Sequence, residues 1–477
     1  MNLHKKLVLV LGLGESGLAM ARWCVRRGAR LRIADTRAEP PGLSNLCQAA
    51  EDAEFVSGEF TKSLLENVDL LALSPGLSGG LMVVLEARAR GIPVVGEIEL
   101  FAQALRDLGV RDKTKVLAIT GTNGKTTTTA LTGHLCEATG RDAEVAGNIS
   151  PAALDALMLR LDDGQLPEIW VLELSSFQLE TTLTLNPDAA AVLNISEDHL
   201  DRYINIDEYA SAKARVLIHD QGNGAAQILN RDDARVRRMA VPHRQLISFG
   251  LDAPGMMEDF GLRERNGEFW LVQGNSFLLP LAELPLAGLH NAANALASLA
   301  LCHAIGLPIK QLVAGLKTFR GLAHRVEKVA EIEGVVFYDD SKGTNVGATV
   351  AALQGLGGEK SATQPKGRKI VLIAGGEGKN QDFLPLRDAV SRHARSVVLI
   401  GRDAPLIRAA LSDCSVPLLA AQNLDEAVRA AAGAALPGDA VLLSPACASF
   451  DMFRNYVHRA EVFVAAVRAL PAAGAAA

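Results

Sequence analysis

The stretch Val116-Leu117-Ala118-Ile119-Thr120-Gly121-Thr122-Asn123-Gly124-Lys125-Thr126-Thr127-Thr128 decides the fold. An apolar run of parallel-strand length enters a Gly-rich turn, and the turn opens a segment of helical period. Backbone amides of such a strand-loop-helix turn cradle phosphates, Lys125 offsets their charge, and the Thr126 hydroxyl is placed to ligate Mg²⁺. The usual spacing is G-x-x-x-x-G-K-[ST]. Here Ile119 occupies the first Gly position, so the loop is the shorter G-x-x-G-K-T form.

Upstream, Leu7-Val8-Leu9-Val10-Leu11 runs into Gly12-Leu13-Gly14-Glu15-Ser16-Gly17, and Asp35 closes the next apolar run, Leu31-Arg32-Ile33-Ala34. Glycines here let a backbone approach a diphosphate at a helix N-terminus, with the acid taking a ribose hydroxyl. A tight turn whose glycines only permit close packing is the alternative. Further runs at Leu70–Leu73 and Val94–Val95, with Ser74-Pro75-Gly76 between them and a helical piece over Glu99–Leu108, complete a first α/β unit.

Short apolar runs alternate with longer helical stretches through the rest of the chain, the pattern of repeated βαβ units. At ~150 residues per domain, 477 residues imply about three domains. The expected divisions are 1–111, 112–320 and 321–477. The first and third units are expected to be Rossmann-like, around a central P-loop ATPase-like parallel or mixed sheet. The 49% apolar and 21% charged composition excludes disorder, and 48 basic against 54 acidic residues, with no like-charge block, argue against nucleic acid as a partner. Six cysteines without a C-x-x-C pair suggest neither a disulfide framework nor a thiolate metal site, and fit a reducing cytoplasm. No stretch approaches the ~20 apolar residues of a membrane span. Gly357–Lys366 reads as a surface loop and Pro471–Ala477 as a frayed tail.

Glu173 follows the run Trp170-Val171-Leu172, where it either holds a metal or is an ordinary strand-end charge. Ser196–Arg202 follows Ala189–Leu193 and offers a ligand cluster around His199, or a hydrogen-bonding loop. Lys213, taken alone, reads as a solvated helix residue. In the third unit, strands are expected at Val335–Tyr338, Ile370–Ala374, Val397–Ile400 and Ala440–Leu443. The polar segments Asp339–Asn345, Gly375–Asn380 and Ser444–Asp451 follow three of them. Hydroxyls and ammonium groups there suit a small carboxylate-bearing ligand, or else form structural loops.

Together these motifs resemble the Mur ligases over nearly the whole chain. The resemblance rests on residues 121–127, Leu172-Glu173-Leu174-Ser175-Ser176-Phe177-Gln178-Leu179-Glu180, and 197–203. It also rests on 290–295, His324-Arg325, 340–345 and 444–453. It implies an ATP-dependent ligase that adds glutamate to UDP-N-acetylmuramoyl-L-alanine through an acyl phosphate. ATP and two Mg²⁺ ions would serve it, and the protein would be a cytoplasmic monomer. By the resemblance, Glu15, Ser16, Asp35, Thr36, Arg37, Ser74 and Gly76 hold the uridine diphosphate, with Asn148 near the sugar. Gly121, Thr122, Asn123, Gly124, Lys125, Thr126 and Thr127 hold ATP, assisted by Asn291, Arg325 and Asp340. Thr126 and Glu173 take one Mg²⁺; His199 and a carbamylated Lys213 take the second. Lys125, Glu173, His199 and Lys213 form the catalytic set. Lys342, Thr344, Lys379, Ser449, Phe450 and Tyr456 meet the glutamate. An NAD-dependent dehydrogenase reading leaves the P-loop unexplained, and a nucleotide-gated binding protein leaves the third unit's polar clusters unexplained. Ligases adding alanine, a diamino acid or a dipeptide remain open within the family, although the Asp-Asn-Pro-Arg signature of the diamino-acid enzymes is absent.

Overall fold

The computed structural model describes residues 2–50, 52–217, 225–286, 288–357 and 368–470. Most of the expected loop at 357–366, and the expected tail at 471–477, lie outside them. Among the described residues there are three sheets, of five, nine and six strands.

The first sheet is parallel throughout, in the order Glu54–Ser57, Arg30–Asp35, Leu7–Leu11, Leu70–Leu73, Val94–Val95. All five residues of Leu7–Leu11 are buried. Val8 and Val10 point into one core while Leu7, Leu9 and Leu11 point into another, as expected of a strand covered on both faces. The turn that follows needs its glycines. Gly12 has φ +83°, and a Cβ at Gly17 would sit 1.9 Å from the Gly12 carbonyl oxygen.

In the central sheet the strand Lys115–Thr120 lies between Ile169–Glu173 and Ala189–Val192, with Ala143–Gly147 at the near edge. Beyond Ala189–Val192 the sheet continues through Ala226–Asn230, Leu246–Phe249 and Phe260–Arg265. It ends in the antiparallel strands Glu268–Gln273 and Ser276–Pro280. Helix Glu97–Asp107 joins the first two units without a gap: Phe101 meets Trp170 edge to face at 5.0 Å, within one continuous core. Buried Glu99 and Glu97 bind across the same seam, Glu99 accepting the Leu183 and Thr184 N–H groups and Glu97 the Leu154 N–H.

The third sheet runs Glu327–Ile332, Val335–Asp339, Ala440–Leu443, Ile370–Gly375, Ala394–Ile400, Leu418–Ala420, parallel except for its first, antiparallel edge strand. No helix among the described residues is long and apolar enough to cross a membrane. Cys136 and Cys302 lie buried with Sγ atoms 3.9 Å apart and remain free thiols.

Candidate active site

The P-loop is shaped by backbone that side chains other than glycine resist. Gly121 and Gly124 have φ +154° and +82°, and a Cβ at Gly124 would meet Asn294 Oδ1 at 2.4 Å. Lys125 opens helix Lys125–Ala138, and its Nζ donates to the Gly121 and Thr122 carbonyls at 3.0 and 2.9 Å. Burial draws the Lys125 ammonium below its usual range, against the pull of Glu173 and Asp198. Asn194 fixes the loop from the neighbouring segment, accepting the Asn123 N–H and donating to the Asn123 carbonyl.

Around the loop stand the metal candidates. Glu173 ends its strand buried, and its Oε2 has no hydrogen-bond partner. Thr126 offers a hydroxyl in the same cleft. Lys213, on helix Ile206–Ala214, is not the solvated residue that helical position alone suggests. It is 1% exposed, its Nζ lies 4.6 Å from the Tyr209 ring centroid, and burial with the Lys125 charge lowers its ammonium well below the ordinary range. The reason is tertiary: the helix face carrying Tyr209 and Lys213 packs inward, toward Glu173 and Asp198. His199 sits at φ +55° with Nε2 3.7 Å from Asp198 Oδ2, and burial lowers its imidazolium. An orphaned buried carboxylate oxygen, a hydroxyl and hard oxygen donors suit Mg²⁺. A lysine whose ammonium is disfavoured there is held toward the neutral amine, the form able to add CO₂.

The opposite wall comes from the third unit. Arg325 donates to Thr126 Oγ1, bridging the third unit to the P-loop helix. Asp340 is buried; burial raises its carboxyl to about 7, opposed by the Ser444 hydroxyl donating at 2.7 Å and by Arg325. Lys342 Nζ lies 3.8 Å from the Tyr456 ring centroid. These residues enclose a cleft of about 1020 Å³, which Thr122–Thr127, Asn148, Glu173, His199, Asn291, Thr344 and Lys379 also line. Gly121 supplies the loop's entry. Ser449 and Phe450 stand apart: Ser449 is buried behind the wall and Phe450 is 69% exposed, and neither is among the residues lining the cleft.

The expected uridine-diphosphate residues lie at the edge of the first sheet. Asp35 accepts the Leu13 and Arg37 N–H groups and a bidentate Arg37 guanidinium at 2.8 Å. The Arg37 contact is the main reason its carboxyl falls to about 2. Asp35 is thereby committed to the turn, with Thr36 beside it. Ser74 is buried, its N–H on the Leu11 carbonyl, while Gly76 faces open space. Glu15, next to Ser16 at the helix start, accepts the Ser150 hydroxyl at 2.7 Å, and the Asn148 N–H binds the Glu173 carbonyl. A short segment, 148–150, thus leads from the first unit's turn to the P-loop cleft. Arg202 adds a second link, donating to the Pro75 carbonyl and to Glu180.

Sequence reasoning passed over Asp198, Asn194, Asn294 and Asn345 as individual site residues. Asp198 and Asn345 lie in polar segments flagged as candidates; Asn294 follows Asn291 by three residues, one helical turn.

A P-loop at the strand ends of one open α/β sheet, roofed by basic and acidic side chains of another, defines a multidomain nucleotide-dependent enzyme. The chain belongs to the Mur ligase family. Residues 6–96 match the MurD-like N-terminal domain, 119–302 the Mur ligase middle domain, and 324–447 the Mur ligase glutamate ligase domain. A protein of Aromatoleum aromaticum named UDP-N-acetylmuramoylalanine–D-glutamate ligase is 61% identical over 98% of both chains. One of the same name from Nitrosospira multiformis is 55% identical over 100% of this chain and 98% of its own. Among solved structures, MurF of Acinetobacter baumannii superposes with TM-score 0.61 at 20% identity, covering 98% of this chain and 91% of its own. UDP-N-acetylmuramate–alanine ligase of Thermotoga maritima does so with TM-score 0.58 at 20% identity, over 98% and 99%. These two likenesses concern the fold.

Proposed function

We infer that this protein is an ATP-dependent amide ligase that joins D-glutamate to UDP-N-acetylmuramoyl-L-alanine in peptidoglycan precursor synthesis, releasing ADP and phosphate. The names of the full-length relatives support that substrate pair. The single observation that carries the site assignment is the meeting in one cleft of the P-loop, the orphaned Glu173 carboxylate, and Arg325, Asp340 and Lys342 of the third unit. The divisions 1–111, 112–320 and 321–477 are proposed as the sugar-nucleotide, ATP and glutamate domains.

In this reading the muramoyl-alanine carboxylate attacks the ATP γ-phosphorus, giving an acyl phosphate and ADP. The glutamate amine then attacks the acyl carbon, and phosphate leaves with the C–O bond electrons. Two Mg²⁺ ions, one held by Thr126 and Glu173 and one by His199 and a carbamylated Lys213, would offset charge on the phosphoryl oxygens. The chain's own groups do the rest. Lys125 moves its ammonium from the loop carbonyls to the phosphates, and Arg325 adds a fixed guanidinium. Asp340 and Asn291 would assist in holding the ATP. Glu15, Ser16, Asp35, Thr36, Arg37, Ser74 and Gly76 would seat the uridine diphosphate, with Asn148 at the sugar. Lys342, Thr344, Lys379 and Tyr456 face the glutamate; Ser449 and Phe450 act there only through backbone or closure. The protein would work as a cytoplasmic monomer.

Mass spectrometry of the sugar nucleotide after incubation with ATP, Mg²⁺ and D-glutamate tests this. One added glutamyl residue per ADP formed supports it; ADP without a changed sugar nucleotide contradicts it.

A further inference from the structure

One side chain of the third unit hydrogen-bonds both the P-loop and the segment that carries His199. Asn345 stands immediately before helix Val346–Gly357, and its Oδ1 accepts the Ala348 N–H at 2.9 Å, as a helix N-cap does. Its Nδ2 reaches across, donating to Asn123 Oδ1 at 3.0 Å and to Asp198 Oδ2 at 3.3 Å. Asn345 is buried, so these bonds are not freely exchanged for water. Both recipients are tied to the chemistry. Asn123 is a P-loop residue, and Asp198 uses its other oxygen to accept the His199 N–H at 3.0 Å.

The chain of contacts also runs backward. The Val346 N–H donates to Gln381 Oε1 at 2.9 Å, and Gln381 Nε2 donates to the Gly378 carbonyl at 2.8 Å. Gly378 precedes Lys379, which lines the cleft. Hydrogen bonds therefore run without interruption from the Lys379 loop, through Gln381 and the helix start, to the P-loop and the His199 segment. The residue type fits the task. An amide supplies one acceptor for the cap and two donors for two acceptors, whereas a carboxylate would face Asp198 with like charge and no donor.

We propose that Asn345, backed by Gln381, is a positioning residue that couples seating of the amino-acid loop to the geometry of the P-loop and of His199. Its kinetic test rests on the ligase reading. Asn345→Ser keeps a capping oxygen but is too short to reach Asn123 and Asp198, so it separates folding from coupling. The expected result is a melting temperature lowered by only a few degrees and unchanged affinity for a non-hydrolysable ATP analogue, with kcat lowered about 10- to 100-fold at a temperature where the variant is fully folded. With that analogue and the sugar nucleotide bound, scattering should give a larger radius of gyration than for the wild type. Gln381→Ala should lower kcat less, and the double variant should be no worse than Asn345→Ser alone, because links in series are not additive. Wild-type kcat in Asn345→Ser, a loss explained by unfolding at the assay temperature, or additive losses would each overturn the proposal. If the wild type itself forms no ADP with sugar nucleotide and D-glutamate, the ligase reading fails. The scattering comparison then still decides the coupling: equal radii overturn it, and a larger radius for Asn345→Ser upholds it.

Discussion

Replacing Asp340 by Asn should stabilise the protein while weakening its use of ATP, and the stabilisation should depend on pH. Burial moves the Asp340 carboxyl from 3.8 to about 7. At about 1.36 kcal/mol for each pH unit, that displacement is roughly 4 kcal/mol of folding free energy. Below about pH 4 the carboxyl is protonated in both the folded and unfolded chain, and the stability tied to its protonated form is intact. As pH rises the unfolded chain releases the proton while the folded chain keeps it, so stability is lost until the folded carboxyl itself ionises near 7. An Asn of the same shape carries no such cost. The difference in melting temperature, variant minus wild type, should therefore be small near about pH 4.5 and grow to a plateau above about pH 7. Its largest value should be roughly 10 °C, at about 2–4 °C per kcal/mol for a unit of this size, read by calorimetry on the third-unit transition. In the same variant kcat/KM for ATP should fall about 10- to 100-fold, as one charged acceptor in the cleft is lost. A variant less stable than the wild type at every pH, or a difference that does not change with pH, would refute the reasoning.

Lys125→Ala should lower turnover at least about 10³-fold with little change in melting temperature, because transition-state charge on the phosphates loses its fixed cation; steady-state phosphate release reads this. Gly17→Ala should abolish sugar-nucleotide binding in a titration and unfold the first unit, since the new Cβ would sit 1.9 Å from the Gly12 carbonyl oxygen. Incubation with ¹³C-labelled bicarbonate should give a carbamate carbon resonance that Lys213→Met lacks; its presence in both proteins would remove Lys213 from the metal assignment. Asp35→Asn should destabilise the first unit at neutral pH, and the difference should vanish as pH falls from about 4 toward about 2, where the wild-type carboxylate also loses its charge.

Where a strand is apolar along its whole length the sequence reveals it directly. Leu70–Leu73, Val94–Val95 and Ala440–Leu443 form strands over the residues their apolar runs predict. Edge strands were hidden. Glu54–Ser57 is half exposed, Ala143–Gly147 carries Glu144, and Ser276–Pro280 begins with two exposed residues. Each takes its pairing from a neighbour rather than from its own pattern. Tertiary packing likewise decides residues whose type is ambiguous. Nothing around Lys213 in sequence says that its helix turns it inward, and nothing around Glu173 says that one oxygen will be left without a partner.

The P-loop was legible because phosphate binding demands a local backbone shape, and Gly121, Gly124 and Lys125 fall within five residues. The roof of the cleft was legible only as separate polar segments. Arg325, Asp340, Lys342 and Lys379 lie some 200 residues or more beyond the loop they cover, so their meeting depends on how the third sheet is set against the second. The glutamate set shows the limit of carrying residues over by motif. Lys342, Thr344, Lys379 and Tyr456 line the cleft, while Phe450 points to solvent.

The most direct test of the account is ATP-dependent phosphate release with UDP-N-acetylmuramoyl-L-alanine and Mg²⁺, supplying D-glutamate, L-glutamate, alanine and diaminopimelate in separate reactions. The account predicts turnover with D-glutamate alone. Turnover with another of the four would contradict the glutamate assignment of the third domain, and silence with all four would contradict the ligase itself.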